Sequence, residues 1–250
     1  MKKGLTLLLC GMLLACPALA SALTADEPLA GVVCWPEGAD EASAAYVYRY
    51  EYPTFSGDDA AQTINAHFTY LVDDAKAFAI PMATAGLNPE TDCVMTEIST
   101  EITCMTDEYL SVMITSTHTM NGSVRTVVAA HTFTLQGDMA GSATNLPRYL
   151  GLLDDSETDE WLRTRQTEKA DGVIRGIVWR KIAAMKRQGG IQLYDDLSGD
   201  VLEYAFYPEE DFYLDESGEP VFFLQPGVIA PEDAGVILFP ISREEIDDEM

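Results

Sequence analysis

Apolar and polar residues alternate from Ala45 to Phe55, with Tyr46, Tyr48, Tyr50 and Tyr52 on one side, and this period of two predicts a strand that Pro53 ends. From Ser56 to Ala79 the period changes. Ile64, Phe68, Leu71, Val72 and Ala75 recur every three or four residues, predicting a helix, capped by Ser56 or Asp58, whose apolar face lies on a sheet. Ala83 to Asp92 reads as a loop punctuated by Gly86 and Asn88-Pro89, and Asp92–Met105 as one extended strand. Two β-rich runs follow, Leu110–Met120 and Val124–Leu135, around Asn121-Gly122, a pair suited to the positive φ angles of a two-residue hairpin turn. That turn sets Leu110, Val112 and Ile114 opposite Phe133, His131 and Ala129 on one face, with Thr115, Thr117 and Thr119 on the other.

The second half repeats the scheme. Gly137 to Gly151 reads as loop, with Leu146-Pro147 opening a new lobe. Ser156 to Gln188 is a long helical segment with a break point near Gly172; Ser156 and Asp159 resemble a capping box, and Gly189-Gly190 ends it. Val173, Ile177, Val178, Ile182 and Met185 form its buried stripe. Two short β-prone runs, Asp211–Leu214 and Val221–Leu224, flank the turn-forming Glu216-Ser217-Gly218-Glu219, and a third runs from Val236 to Ile241. The fold class expected is α+β in two lobes, an antiparallel sheet with a packed helix in each: residues 44–145, then 146–250. Residues 23–43, rich in small residues, Pro, Gly and acids, read as a flexible leader.

Ahead of that leader, Lys2-Lys3, the apolar run Leu5 to Leu14 and the small residues around Ala20 and Ala22 describe a secretory signal peptide over residues 1–22. The run is shorter than the roughly 20 apolar residues a bilayer span needs. Leu13-Leu14-Ala15-Cys16 offers a lipoprotein box as the alternative, which Leu14 and Pro17 fit poorly. The localisation expected is therefore secreted, periplasmic or cell-envelope, with no integral membrane segment in the mature chain.

Charge narrows the partners. The chain has 41 acidic and 15 basic residues, a net charge of −26. Such a surface repels phosphate backbones, which argues against nucleic acid, and attracts cationic partners or divalent ions, or simply confers solubility. Against this background, Trp161 to Arg187 holds eight basic residues (Arg163, Arg165, Lys169, Arg175, Arg180, Lys181, Lys186, Arg187) and two acids, Glu168 and Asp171. Either this helix packs across the acidic remainder, or it contacts an anionic polymer. Of the three cysteines beyond the signal peptide, Cys34, Cys93 and Cys104, the last two would lie about 36 Å apart along one strand. Cys34–Cys93 is then the favoured disulfide, leaving Cys104 as a free thiol.

No catalytic constellation stands out. His118 falls opposite Arg125 in the hairpin register, and His131 lies about 20 Å along the strand from it, so the two cannot act together. His67 belongs to the first helix, apart from both. Metal, nucleophile-elbow, paired-cysteine and phosphate-loop motifs are missing, and Asp73-Asp74 and Asp154-Asp155 lack the pattern of a calcium loop. Cys104 has no identifiable base. Carboxylates such as Asp195-Asp196 and Glu209-Glu210-Asp211 are too abundant for one acid pair to be singled out. No catalytic, cofactor-binding or metal-binding residue is assigned, and no cofactor is expected.

A resemblance adds to this. The order Phe212-Tyr213-Leu214, short turn, Val221-Phe222-Phe223, Ile229-Ala230-Pro231, Gly235, then a β-run ending in Pro240-Ile241 resembles the extracellular domain of the RsiV anti-sigma factor family. That domain also occurs beside a related N-terminal module in the polysaccharide deacetylase PdaC. Tyr52-Pro53 with Phe55 and Gly57, Ile64-Asn65, and Leu110-Ser111-Val112 match in order, so the resemblance runs from about Tyr46 to Ile246. Two places depart from it: Asn121-Gly122-Ser123-Val124 stands for Gly-Gly-x-His, and Gly227-Val228 for Tyr-Glu. The resemblance implies a non-catalytic, exported envelope binding module whose partner is lysozyme or another basic protein. The sequence shows neither a sigma-binding segment nor a deacetylase domain. Two other readings stand beside it: a cell-wall glycan-binding protein using the basic helix with Trp161 and Trp179, and an envelope hydrolase using two carboxylates.

Overall fold

The computed structural model describes residues 23–57, 59–154 and 157–250. The signal-peptide and lipoprotein readings, the Asp58 cap and the Ser156 capping box fall outside the described residues, as does Asp155. In chain order the first lobe holds β1 (Thr24–Ala25), β2 (Leu29–Trp35), β3 (Tyr46–Tyr52), β4 (Phe55–Ser56), α1 (Asp59–Asp74), α2 (Ile80–Thr84), β5 (Val94–Met105), β6 (Tyr109–Met120), β7 (Ser123–Thr134) and β8 (Ala143–Thr144). The second holds α3 (Leu146–Tyr149), α4 (Glu160–Gln188), α5 (Val201–Ala205), β9 (Phe212–Leu214), β10 (Pro220–Leu224), β11 (Ile237–Pro240) and α6 (Arg243–Glu249).

The first sheet has the order β2-β3-β5-β6-β7-β8. Its pairings are antiparallel except one. β3 and β5 run parallel, because α1 and α2 carry the chain back across the sheet between them. Ile64, Phe68 and Val72 of α1 are buried on this sheet, with Phe68 against Tyr52 and Phe133 at centroid distances of 5.7 and 5.8 Å. The hairpin follows the expected register, Leu110 opposite Phe133 and Val112 opposite His131, and Asn121 and Gly122 take φ of 51° and 81° in its turn.

The flexible leader is corrected: β2 lies inside that stretch and pairs residue for residue with β3, from Leu29 opposite Tyr52 to Trp35 opposite Tyr46. Leu29, Val33 and Trp35 pack on the first core, a period of two that the surrounding small and acidic residues diluted. Gly31 is required there. A Cβ at that position would meet the Tyr50 hydroxyl at 2.5 Å.

In the second lobe, α4 runs unbroken through Gly172, which sits exposed where a lone glycine costs little more than propensity. Asp159 caps it, accepting from Leu162 N at 3.1 Å, and Gly189 ends it at φ 71°. Ile174, Ile177, Val178 and Ile182 are buried in one core with Phe222, Leu224 and Phe239 of the antiparallel sheet β11-β10-β9. Val173 and Met185 of the expected stripe pack at its margin. The stretch Gly137 to Gly151, read as loop, contains β8 and α3, and α6 closes the chain with Ser242 capping through Glu245 N.

The Cys34–Cys93 disulfide is also corrected: Cys34, Cys93 and Cys104 are all free. Cys34 pairs with Val47 on β3, and Cys93 lies at the start of β5 on the far side of β3. Two strand spacings sideways and a two-residue offset along β5 put them about 12 Å apart, beyond the roughly 7 Å a disulfide can bridge.

The lobes are bonded to each other. Ser111, fully buried in β6, shares a 3.0 Å hydroxyl contact with Thr132 and accepts from Leu214 N at 3.1 Å. Gln225, just past β10, accepts from Val128 N at 2.9 Å and donates to Val128 O at 2.6 Å.

Candidate functional site

The groove between the lobes follows from one unfinished strand edge. β6 covers one side of β7 throughout, but β8 covers the other only at Thr132 and Phe133, and Gln225 only at Val128. The gap between these two covers, Ala129 to His131, lines a groove of about 380 Å³ whose far wall is Asn145, Arg148 and Glu209 to Phe212. Asn145 caps α3, accepting from Arg148 N at 3.3 Å, and Leu146 N donates to Glu209 O, so both loops of that wall are tied together. Asn145 and Glu209 also line an adjoining polar groove with Arg163, Thr164, Thr167, Glu168 and Asp171 of α4.

Asp171 is the unusual member. It sits on the apolar stripe of α4, 6% exposed, with Oδ2 3.3 Å from Arg175 while Oδ1 has no hydrogen-bond partner. Glu209 Oε2 is likewise buried and unpartnered. Burial, then the neighbouring Glu209 carboxyl, pushes Asp171 up to about 7, and Arg175 only partly opposes them. Two acceptor groups face each other here, so a hydrogen bond exists only when one carboxyl holds a proton. Asp211, pushed up to about 6 by burial and by Glu210 and Glu209, accepts from Tyr207 N at 2.7 Å. Arg148 Nε is a third buried atom without a partner.

The histidines differ from the expectation in one respect. His118 stands opposite Arg125 and far from His131 in register, as read, and its ring bonds the Thr96 and Ser116 hydroxyls at 3.0 Å each. His67 does not lie apart. α1 lays it across the sheet so that its ring centroid is 4.8 Å from that of His131 and 5.2 Å from that of Phe133. Burial lowers both, His131 to about 4 with His67 contributing, and His67 Nε2 is buried without a partner. Two neutral imidazoles against phenylalanine make a half-buried packing pair at the margin of the first core. Among the described residues no group of three or more His, Cys, Asp or Glu converges as metal ligands would.

Other singled-out residues separate. Cys104 is buried in the second core, its thiol raised by burial and by Asp215. Trp179 packs at the edge of that core, whereas Trp161 is 66% exposed with the Arg165 guanidinium 5.2 Å over its ring. The latter half of the basic helix turns to acids and carbonyls: Arg180 to Glu249 at 2.7 Å, Lys181 to Glu245 at 3.2 Å, and Lys186 to the carbonyls of Tyr194 and Asp195. Sequence reasoning missed the Asp171–Glu209 and His67–His131 pairs. A carboxylate three residues before Ile174 on the apolar stripe, and a histidine between Ile64 and Leu71 on another, were the available signals.

No protein-family model matches the sequence, and no curated protein does. Among the described residues no helix is long and apolar enough to cross a membrane. Solved structures do match. A DUF3298 family protein from Pseudomonas aeruginosa PAO1 superposes at a TM-score of 0.51 with 10% identity, over 90% of this chain and 93% of that one. A DUF3298 family member from Bacteroides fragilis NCTC 9343 does so at 0.52 with 13% identity, over 91% and 93%. The architecture built above, two main sheets each with a helix packed against it, is the fold of these DUF3298 proteins.

Proposed function

We propose that this chain is an exported, non-catalytic envelope binding module of the RsiV-like type, and that it captures a cationic protein, with lysozyme the first candidate. The observation that carries the reading is how the few cations are spent. Arg175, Arg180, Lys181 and Arg243 are tied to acids and Lys186 to carbonyls, while the described residues form six ion pairs against a net charge of −26. The outward field is therefore negative and steers basic proteins toward it at low salt. The fold shared with DUF3298 proteins is consistent with the resemblance to the RsiV domain.

A carboxyl pair close enough to share a proton lacks the roughly 5–9.5 Å separation of glycosidase carboxyls, which disfavours these two as a glycosidase pair. One observation favours a second reading, a wall-glycan contact: Trp161, Arg163 and Lys169 stand exposed on the first turns of α4. Pull-downs at low and moderate salt separate the two. Retention on immobilised lysozyme supports the first, and retention on acidic wall fragments alone supports the second. Turnover of either would end the non-catalytic reading.

A further inference from the structure

The groove between the lobes has two unmet requirements that one ligand could satisfy. In antiparallel β7, alternate residues turn both backbone polar groups to the same edge. Val128 turns its pair to Gln225 and Thr132 its pair to β8, so Ala130 between them turns its N–H and C=O into the groove. The Gln225 amide shows what fits this edge: one acceptor and one donor, presented together. The second requirement lies where Glu209 joins this groove to the adjoining polar one that Asp171 lines. Asp171 Oδ1 and Glu209 Oε2 are buried without a donor, a state that disfavours an ionised carboxylate. Holding a proton between them is one remedy. A cation from outside is the other, because a guanidinium offers several charged donors in a fixed plane. Arg148 Nε, also buried and unbonded, offers a donor to a ligand carbonyl.

We propose that this groove takes an extended, arginine-bearing segment of the cationic protein partner, its backbone paired with Ala130 and its guanidinium lodged against Asp171 and Glu209. The proposal rests on the reading that the partner is a cationic protein. It adds a place and a sequence requirement. The charged and titratable groups around the carboxyl pair are Arg175, Glu160, Arg163 and Glu168 on α4, Arg148 on α3, His131 on β7, and Glu210 and Asp211 beside Glu209. An incoming cation displaces the proton held by the pair, so binding near neutral pH releases protons.

Titration calorimetry of the full protein with the blocked tripeptide acetyl-Ala-Arg-Ala-amide tests this directly. The arginine peptide is expected to bind about tenfold or more tighter than acetyl-Ala-Gln-Ala-amide. Its heat at about pH 7 should vary with the ionisation enthalpy of the buffer, reporting proton release. Glu209→Gln, isosteric and partly exposed, should remove both the preference and the proton release. Ala130→Pro deletes the outward N–H while sparing the ladder to β6, and should weaken both peptides. Equal affinity for the two peptides, no heat from either, or unchanged binding in both variants overturns the proposal. Lysozyme capture on the same samples tests the module reading separately: a protein that binds the arginine peptide and ignores lysozyme keeps the groove and loses its proposed partner.

Discussion

The His67 and His131 rings lie with centroids 4.8 Å apart in the space between α1 and β7, two half-buried imidazoles packed on each other. Burial holds both below the ordinary histidine value of 6.5, His131 at about 4. In the unfolded chain His131 binds its proton near 6.5, so between pH 6.5 and 4 the unfolded state holds more protons than the folded one. The stability this group contributes is present above 6.5 and is lost as pH falls through 4. His131→Leu should flatten that limb of a stability–pH profile, read by chemical denaturation, by about 2–3 kcal/mol, and the His131 ring in wild type should remain neutral by NMR at about pH 5.

Asp171 works in the opposite sense. Its folded value of about 7 stands above the ordinary 3.8, so the folded state holds the extra proton between these limits. Its contribution is full below 3.8 and is lost as pH rises through 7. Asp171→Asn keeps the shape and cannot ionise. It should match wild type at about pH 4 and exceed it by on the order of 2 kcal/mol at about pH 8, read by chemical denaturation. A variant less stable than wild type at the higher pH would contradict this account of the pair.

Ser111 joins three strands through one hydroxyl. Ser111→Ala should leave Leu214 N without an acceptor in a fully buried place and cost about 1–3 kcal/mol, with β9 exchanging its amide protons faster.

Gln225→Ala removes both bonds to Val128 and should cost a similar amount, about 1–3 kcal/mol. It also lengthens the open edge of β7, so exchange at Val128 N should rise selectively. If the loss is spread evenly over both lobes instead, the amide is not the local clasp the geometry describes.

These residues show what the sequence could and could not convey. The hairpin was legible to the residue because Asn121-Gly122 fixes its turn and the period of two fixes its faces. α1, α4 and the closing sheet were legible from their stripes. β2 was not, since Gly31 and Ala30 carry no β signal and their meaning appears only against Tyr50 and Glu51 on the neighbouring strand. The motif positions Phe55 and Asn65 gain a reason in three dimensions: the Asn65 amide bonds Phe55 N at 2.9 Å and Phe55 O at 2.8 Å, clamping the start of α1. Pairs such as His67 with His131 and Asp171 with Glu209 were illegible because periodicity places a residue on a face without saying what the opposite face brings.

The central claim, that an acidic exported module captures a basic protein, is tested most directly by calorimetric titration with lysozyme at low and moderate ionic strength. Saturable binding that weakens as salt shortens the screening length below about 10 Å is the expected result. Folded protein that gives no binding heat at either ionic strength would contradict it.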